Sequence, residues 1–301
     1  ELQIKDIFAY PTLAGLAGQV EQNRSSRLLP AIIPFERSSV ERIPLSFAQE
    51  RLWFIDRLQG SSHYHLPAVF RLKGEVDVAG LEASFREIVQ RHEALRTVIA
   101  EEEGQGYQQV LEAAQWQLTY LEEASLADTS PLQALVQKAV EQPFDLGKDF
   151  MLRAVLIKLS AREHLLAVVQ HHISSDGWSV SILVKELTEL YAAKLENREA
   201  SLPPLSIQYA DYAVWQRGYL QGQVLEEQTN YWKQKLTGVE ALQLPTDYAR
   251  PSVQSTKGSR VEFSLGKDLS QQLEQFSRKE ESTLFMTLLS AFKVLLYRYS
   301  G

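Results

Sequence analysis

"FMLRAVLIKLSAREHLLAVVQHHISSDGWS", residues 150–179, decides how the chain is read. Two apolar runs flank a polar turn at residues 160–163, which predicts two consecutive β-strands. The second run, Leu165 to Gln170, ends on the adjacent pair His171 and His172. Asp176 and Gly177 follow, and then an amphipathic segment over residues 178–197 with helical spacing. The pair therefore sits at a strand-to-helix turn, where side chains and free backbone N–H groups can converge on a ligand.

Two neighbouring histidines on a strand point to opposite faces, so they chelate one ion poorly together. His172 and Asp176 could reach a common ion, but no third ligand is evident in the sequence, and no metal site is expected. A neutral imidazole is the natural group for taking a proton near pH 7. Asp176 has three readings: it orients a histidine, caps the following helix, or binds a buried arginine. Gly177 permits a backbone approach that a Cβ would block. A lone histidine is more often structural than catalytic. Two histidines, an Asp, a Gly and Trp178 at one strand end favour a functional site.

The chain has 301 residues, 45% hydrophobic and 23% charged, with a formal net charge of -7. This is globular composition with enough apolar content for a core. An acidic balance argues against a general nucleic-acid surface. No apolar run is long enough for a membrane span, and no signal peptide opens the sequence. There are no cysteines, so disulfides, thiolate metal sites and a Cys nucleophile are excluded. A cytoplasmic location fits. The sequence opens without Met and closes directly after a strong helix, as expected of a fragment of a longer chain.

Outward from the central stretch, "FAQERLWFIDRL" (47–58) has near-helical apolar spacing, and residues 65–74 read as a strand. Leu81, Phe85, Ile88, Val89, His92 and Leu95 mark an amphipathic helix. A hairpin is expected around residues 104–106, a helix over 131–146 breaking at Pro143, further helices after residue 209, and a strand at "SRVEFSLG" (259–266). Thr12 can cap a short helix. Residues 23–43 have linker composition. The mixture predicts an α/β (α+β layered) fold. No G-x-S-x-G elbow supports a serine nucleophile. The glycines at 104 and 106 suit a hairpin better than a phosphate loop.

"HHISSDGWS" (171–179) resembles the HHxxxDG signature of condensation domains in nonribosomal peptide synthetases, a pattern shared with other chloramphenicol acetyltransferase-like acyltransferases. Three further stretches narrow the resemblance: "LSFAQERLWFIDRL" (45–58), "RHEALRT" (91–97) and "YADYAVWQR" (209–217) are similar to the family's first, second and fourth core motifs. "PFDLGKDFMLRAVLIKL" (143–159) also fits. Residues 1–23 resemble the C-terminal end of a peptidyl carrier domain, without its phosphopantetheine-accepting serine motif. The resemblance implies a linker at 24–43, the condensation domain's N-terminal lobe at 44–245, and the start of its C-terminal lobe at 246–301. The implied architecture is a chloramphenicol acetyltransferase-like lobe, the first half of a two-lobed pseudodimer.

The implied reaction is amide-bond formation between a donor peptidyl or aminoacyl thioester and an acceptor aminoacyl thioester. No cofactor is bound directly; both substrates ride on 4'-phosphopantetheine arms of partner carrier domains, with an adjacent adenylation domain in the parent chain. His172 matches the family's catalytic histidine. Gly177 would border the acceptor channel, its N–H facing the tetrahedral oxyanion. His171 is assigned a structural role, Asp176 an ion pair with Arg96, and Trp178 a packing role. Heterocyclisation and epimerisation domains differ in these motifs. Ser175 together with the first and fourth motifs looks like members that follow a D-configured donor. Two alternatives stand beside this reading: a non-catalytic docking scaffold for carrier proteins, and an acyltransferase using a diffusible acceptor.

Overall fold

The strands β6 (Leu152–Ser160) and β7 (Glu163–His171) pair antiparallel through a tight turn at residues 161–162. The computed structural model describes residues 9–23, 29–122, 129–252, 258–259 and 261–300. The chain divides into two compact units, Glu1–Leu225 and Glu226–Gly301. This division falls inside a helix and does not coincide with residue 245, the lobe boundary that the resemblance implies.

In the first unit, β6 and β7 are the centre of a four-stranded sheet. Its order is β2 (His65–Lys73), β7, β6, β5 (Thr119–Glu122), with only the β5–β6 pair parallel. Both faces of the central strands are covered, which is why they read as almost unbroken apolar runs. On one face Leu152, Ala154, Leu156, Leu166 and Val168 pack under α3 (Val78–Arg91) and α5 (Gly177–Leu195). On the other, Val155, Ile157, Leu165 and Ala167 meet Leu132, Leu135 and Val136 of α4 (Thr129–Glu141). Trp116, 1% exposed, fills the first core and donates its indole N–H to the Leu152 carbonyl at 2.8 Å.

A second sheet has the order β1 (Ile43–Pro44), β4 (Gln105–Val110), β3 (Thr97–Glu102). The β3–β4 hairpin turns on Glu103 and Gly104, both with positive φ (52° and 79°), the geometry a tight two-residue hairpin requires. The helix α2 (Phe47–Gln59) starts at a capping box. Ser46 Oγ accepts from Gln49 N, and Gln49 Oε1 accepts from Ser46 N. A third cluster, including Leu45, Leu52, Phe144, Met151, Val169 and Ile173, lies where α2, the second sheet and the end of β7 meet.

The helix α6 (Tyr209–Tyr219) holds the described part of the expected linker. Asp211, 3% exposed, accepts from Phe35 N and Arg37, and Trp215 Nε1 donates to the Pro30 carbonyl at 2.8 Å. Thr12 Oγ1 accepts from Gly15 N at the start of α1 (Leu13–Asn23), as a cap does. The rest of the carrier-like segment, 1–8, and residues 24–28 lie outside the described residues.

The helix α7 (Gly222–Leu236) runs across the division between the units. The second unit also holds α8 (Lys267–Lys279) and α9 (Leu284–Ser300), joined where Ser277 Oγ and Thr287 Oγ1 lie 2.7 Å apart. The strand expected at residues 259–266 does not form among its described residues: Val261 and Phe263 are 86% and 83% exposed. Alternating apolar residues make a strand only when a neighbouring backbone accepts and donates along it. No strand lies among the described residues of this unit.

Truncating Leu156, 0% exposed at the centre of the sheet, removes contacts that neighbours on a rigid sheet cannot refill. Leu156→Ala is expected to lower the unfolding free energy by about 2–5 kcal/mol, measured by urea denaturation.

Candidate active site

The β2–β7 ladder brings the histidine pair to its place. His65 stands opposite His171, and the ladder runs one step further, with His172 N–H donating to the Tyr64 carbonyl at 2.9 Å. Alternation along the strand then separates the two rings: His171 is fully buried and His172 is exposed.

The His171 ring is held by two groups. Its Nδ1 accepts from the Ile173 backbone N–H at 3.1 Å. An N–H can only donate, so Nδ1 carries no proton, and the ring proton sits on Nε2. Nε2–H then donates to Ser61 Oγ at 2.9 Å, and Ser61 passes its own proton toward Asp56. Burial first, then the neighbouring His65, His172 and His63, hold the His171 pKa down to about 4. This ring is a fixed strut. Its neighbour His65 is held likewise, Nδ1 lying 2.7 Å from the Val140 carbonyl, with burial lowering its pKa.

After His172 the turn alternates inward and outward. Ile173 enters the apolar cluster, and Ser175, 6% exposed, accepts from Gln170 Nε2 at 2.8 Å. Asp176 is the N-cap of α5. Its Oδ1 accepts from Trp178 N at 3.0 Å, Ser179 N at 3.0 Å and Ser179 Oγ at 2.9 Å, while Ser179 Oγ accepts from Asp176 N. The Ser179 hydroxyl, then the backbone N–H groups, hold the Asp176 carboxyl below its usual value.

The expected ion pair between Asp176 and Arg96 is not formed. Arg96 Nη1 donates to the Leu111 carbonyl at 2.6 Å, beside the second sheet, and among the described residues Asp176 pairs with no cation. Three donors in the first turn already satisfy the carboxylate, so it needs no arginine. The packing role expected for Trp178 is also corrected: its side chain is 83% exposed, because the second residue of α5 faces away from the sheet. Gly177 has an ordinary backbone conformation, and a Cβ built on it would meet nothing within 4 Å. Nothing in the chain's own packing demands glycine there. The space in front of it is open.

Other residues of "RHEALRT" fix the turn from behind. Arg91 Nε and His92 Nε2 approach the buried Glu186 carboxylate of α5 at 3.1 and 2.6 Å. Glu93 accepts from Arg37, and its N–H donates to Gln208 Oε1, just before α6. This segment thus clamps α5 and α6 against α3. Beside His172 lies an open recess of about 370 Å³, whose lining includes Ala48, Leu52, Tyr64, Asp176 and Tyr209. The contact of the Tyr209 hydroxyl, 2.9 Å from Ser46 Oγ, was not visible in the sequence. Nor were Ser61 and Asp56, whose role depends on a strand more than a hundred residues away. Among the described residues, no cluster of three or more potential ligands could hold a metal ion.

A family model described as the condensation domain matches residues 39–301. The protein belongs to the condensation-domain family. It is 44% identical over 309 residues to one of the linear gramicidin synthase proteins of Brevibacillus parabrevis, covering 100% of this chain and 6% of that protein. The chain therefore spans only a small fraction of the length of such relatives. Among solved structures it resembles the complex of the X-domain and OxyB from teicoplanin biosynthesis (TM-score 0.80, 31% identity, 91% of this chain and 60% of that one). A structure titled for condensation domain-mediated chain release from the enacyloxin polyketide synthase shares the fold (TM-score 0.68, 23% identity, 96% of this chain and 57% of that one). The mixed α/β architecture is the chloramphenicol acetyltransferase-like fold of condensation domains, as the motifs implied.

Two titrations follow from this geometry. The unfolded chain takes a proton on His171 near pH 6.5, while the folded ring refuses it until about 4. Stability from this group is complete above pH 6.5 and falls as the pH drops toward 4; histidine NMR of the folded protein should show the His171 ring unprotonated at pH 5.5. Asp176 has a lowered pKa, so its cap is strongest above the usual carboxylate value and weakens as pH falls through the folded one. Asp176→Ala is expected to cost about 0.5–2 kcal/mol at pH 7, with a smaller difference from wild type at pH 3, both read from urea unfolding.

Proposed function

We propose that the protein forms amide bonds as the first lobe, with the start of the second, of a nonribosomal peptide synthetase condensation domain. The observation that carries this reading is the division of labour at the strand end. One histidine is sealed as a neutral strut, and the other is held by its backbone at an open recess with its ring exposed. That is the arrangement expected when a mobile, tethered substrate must reach an imidazole.

In this reading the amine of an acceptor aminoacyl thioester enters the recess beside His172. The nitrogen attacks the carbonyl carbon of the donor thioester. The tetrahedral intermediate collapses by breaking the C–S bond, the amide forms, and the nitrogen's proton passes to the departing thiolate. Both thioesters are borne on phosphopantetheine arms of upstream donor and downstream acceptor carrier domains, and an adenylation domain adjoins in the parent chain. His172 receives and orients the amine. General base action supplies about 10²–10⁴-fold, whereas holding two reactants together supplies effective molarities of about 10⁵–10⁸ M. An amine is a good nucleophile once unprotonated, so positioning carries the larger share. Gly177 borders the acceptor path: the open space beside it leaves room for an arm, and its N–H in the first turn of α5 is available to the developing oxyanion.

The donor is proposed to be D-configured, on the resemblance carried by Ser175 and the first and fourth motifs. A cytoplasmic setting accords with the absence of cysteine. No described helix is long and apolar enough to cross a membrane.

The test is transfer between two loaded carrier proteins by the full-length chain, followed by intact mass. His172→Ala is expected to keep the wild-type melting temperature and to lower dipeptide formation by about 10²–10⁴-fold. A folded variant transferring at the wild-type rate overturns the role of His172. A folded wild type that moves no donor onto any acceptor favours a carrier-docking scaffold.

A further inference from the structure

The N-cap of α2 and the start of α6 meet at the recess, where Ser46 Oγ and Tyr209 Oη lie 2.9 Å apart. Ser46 is fully buried. Among the described residues its hydroxyl has two polar neighbours, Tyr209 Oη and the Gln49 N–H at 3.1 Å. A hydroxyl has one proton to give and two lone pairs to share. The Gln49 N–H can only donate, so it takes a lone pair of Ser46. The Ser46 proton then has one acceptor within reach, Tyr209 Oη, and a buried donor left without an acceptor is unfavourable. The direction is thereby fixed: Ser46 donates to Tyr209.

The phenol proton of Tyr209 is not used in that contact. It remains for the recess, whose wall Tyr209 shares with His172. The phenol stays protonated at neutral pH. Burial, first, and the charge of Asp176 raise its pKa, against the Ser46 hydrogen bond. Arg51, another side-chain donor lining the recess, is solvent-exposed. Tyr209 is therefore a neutral donor whose orientation the fold has already set.

We propose that Tyr209 is a further catalytic residue, donating its phenol hydrogen bond to the carbonyl oxygen of the acceptor aminoacyl group whose amine lies at His172. The assignment rests on the condensation reading. In an aminoacyl group a single carbon separates the nitrogen from the carbonyl, so an amine held at His172 brings its own carbonyl into the same recess. Holding both ends fixes where the nitrogen lone pair points, which one contact cannot do.

The experiment uses the full-length chain and two probes. One is glycyl-pantetheine with an amide in place of the thioester. The other has an uncharged thioether linkage with a methylene in place of the glycyl carbonyl, so that it keeps the primary amine and gains no second basic nitrogen. Wild type is expected to bind the carbonyl probe about 2–12-fold more tightly, the range of one net hydrogen bond. Tyr209→Phe is expected to lose that preference and to remain folded, with a lowered melting temperature because the buried Ser46 hydroxyl loses its acceptor. A Tyr209→Phe protein that retains the preference, or that weakens both probes equally, overturns the assignment. So does a wild type with no preference. Carrier-to-carrier transfer by wild type is measured in parallel. Normal transfer with a retained preference in Tyr209→Phe removes only the Tyr209 role; absent transfer removes the condensation reading on which that role rests.

Discussion

One backbone hydrogen bond carries the site. The β2–β7 ladder continues past its last paired residues, with His172 N–H bonded to the Tyr64 carbonyl. Because that bond fixes the strand's alternation to its final residue, one ring must face the interior and the next must face out. Everything nearby follows from this register. His171 meets Ser61 and the Ile173 N–H, Ile173 enters the apolar cluster, and Asp176 arrives where α5 begins. A one-residue slip would bury His172 and expose His171. The cores on both faces of the sheet oppose such a slip, since it would also invert Leu166, Val168 and Ala167.

Around this turn the fold uses polar contacts where apolar packing alone would leave freedom. Glu186 draws Arg91 and His92 onto α5, Gln208 ties α6 to the residues after α3, and Asp211 gathers Phe35 and Arg37. Three stretches far apart in sequence are thereby held around one recess. A buried carboxylate such as Glu186 tolerates little displacement, because moving it would leave its charge and those of its partners uncompensated. The motif "RHEALRT" thus acts through the helices it positions. Arg96 serves the second sheet through Leu111 and does not serve Asp176. In the same way, "YADYAVWQR" contributes Tyr209 to the wall of the recess, while Asp211 and Trp215 anchor the segment before β1.

The elements that local pattern specifies were legible in the sequence. The two apolar runs of β6 and β7 and the spacing of Leu81, Phe85, Ile88 and Val89 each encode their structure within a few neighbouring positions, while for Asp176 capping was one of three readings left open. The strand expected at residues 259–266 failed for the opposite reason: its alternation is local, but a strand is completed by a partner that local pattern does not supply. Trp178 was misplaced because an aromatic beside a functional turn suggests packing, while its rotation on α5 decides exposure.

The sequence by itself determined the order of most helices and strands in the first unit, though not β1 or β5, the position of the histidine pair at a strand end, and the family to which four ordered motifs point. Tertiary structure alone decided which histidine is sealed, that Asp176 caps a helix instead of pairing with Arg96, and that Tyr209, on the wall of the recess, meets Ser46. The physical reason is the range of the interactions. Periodicity and caps act over a few residues, where the chain records them in its spacing. The bonds from Ser61 to His171 and from Ser46 to Tyr209 join atoms 110 and 163 positions apart, and only the packed sheets and helices bring those atoms within reach.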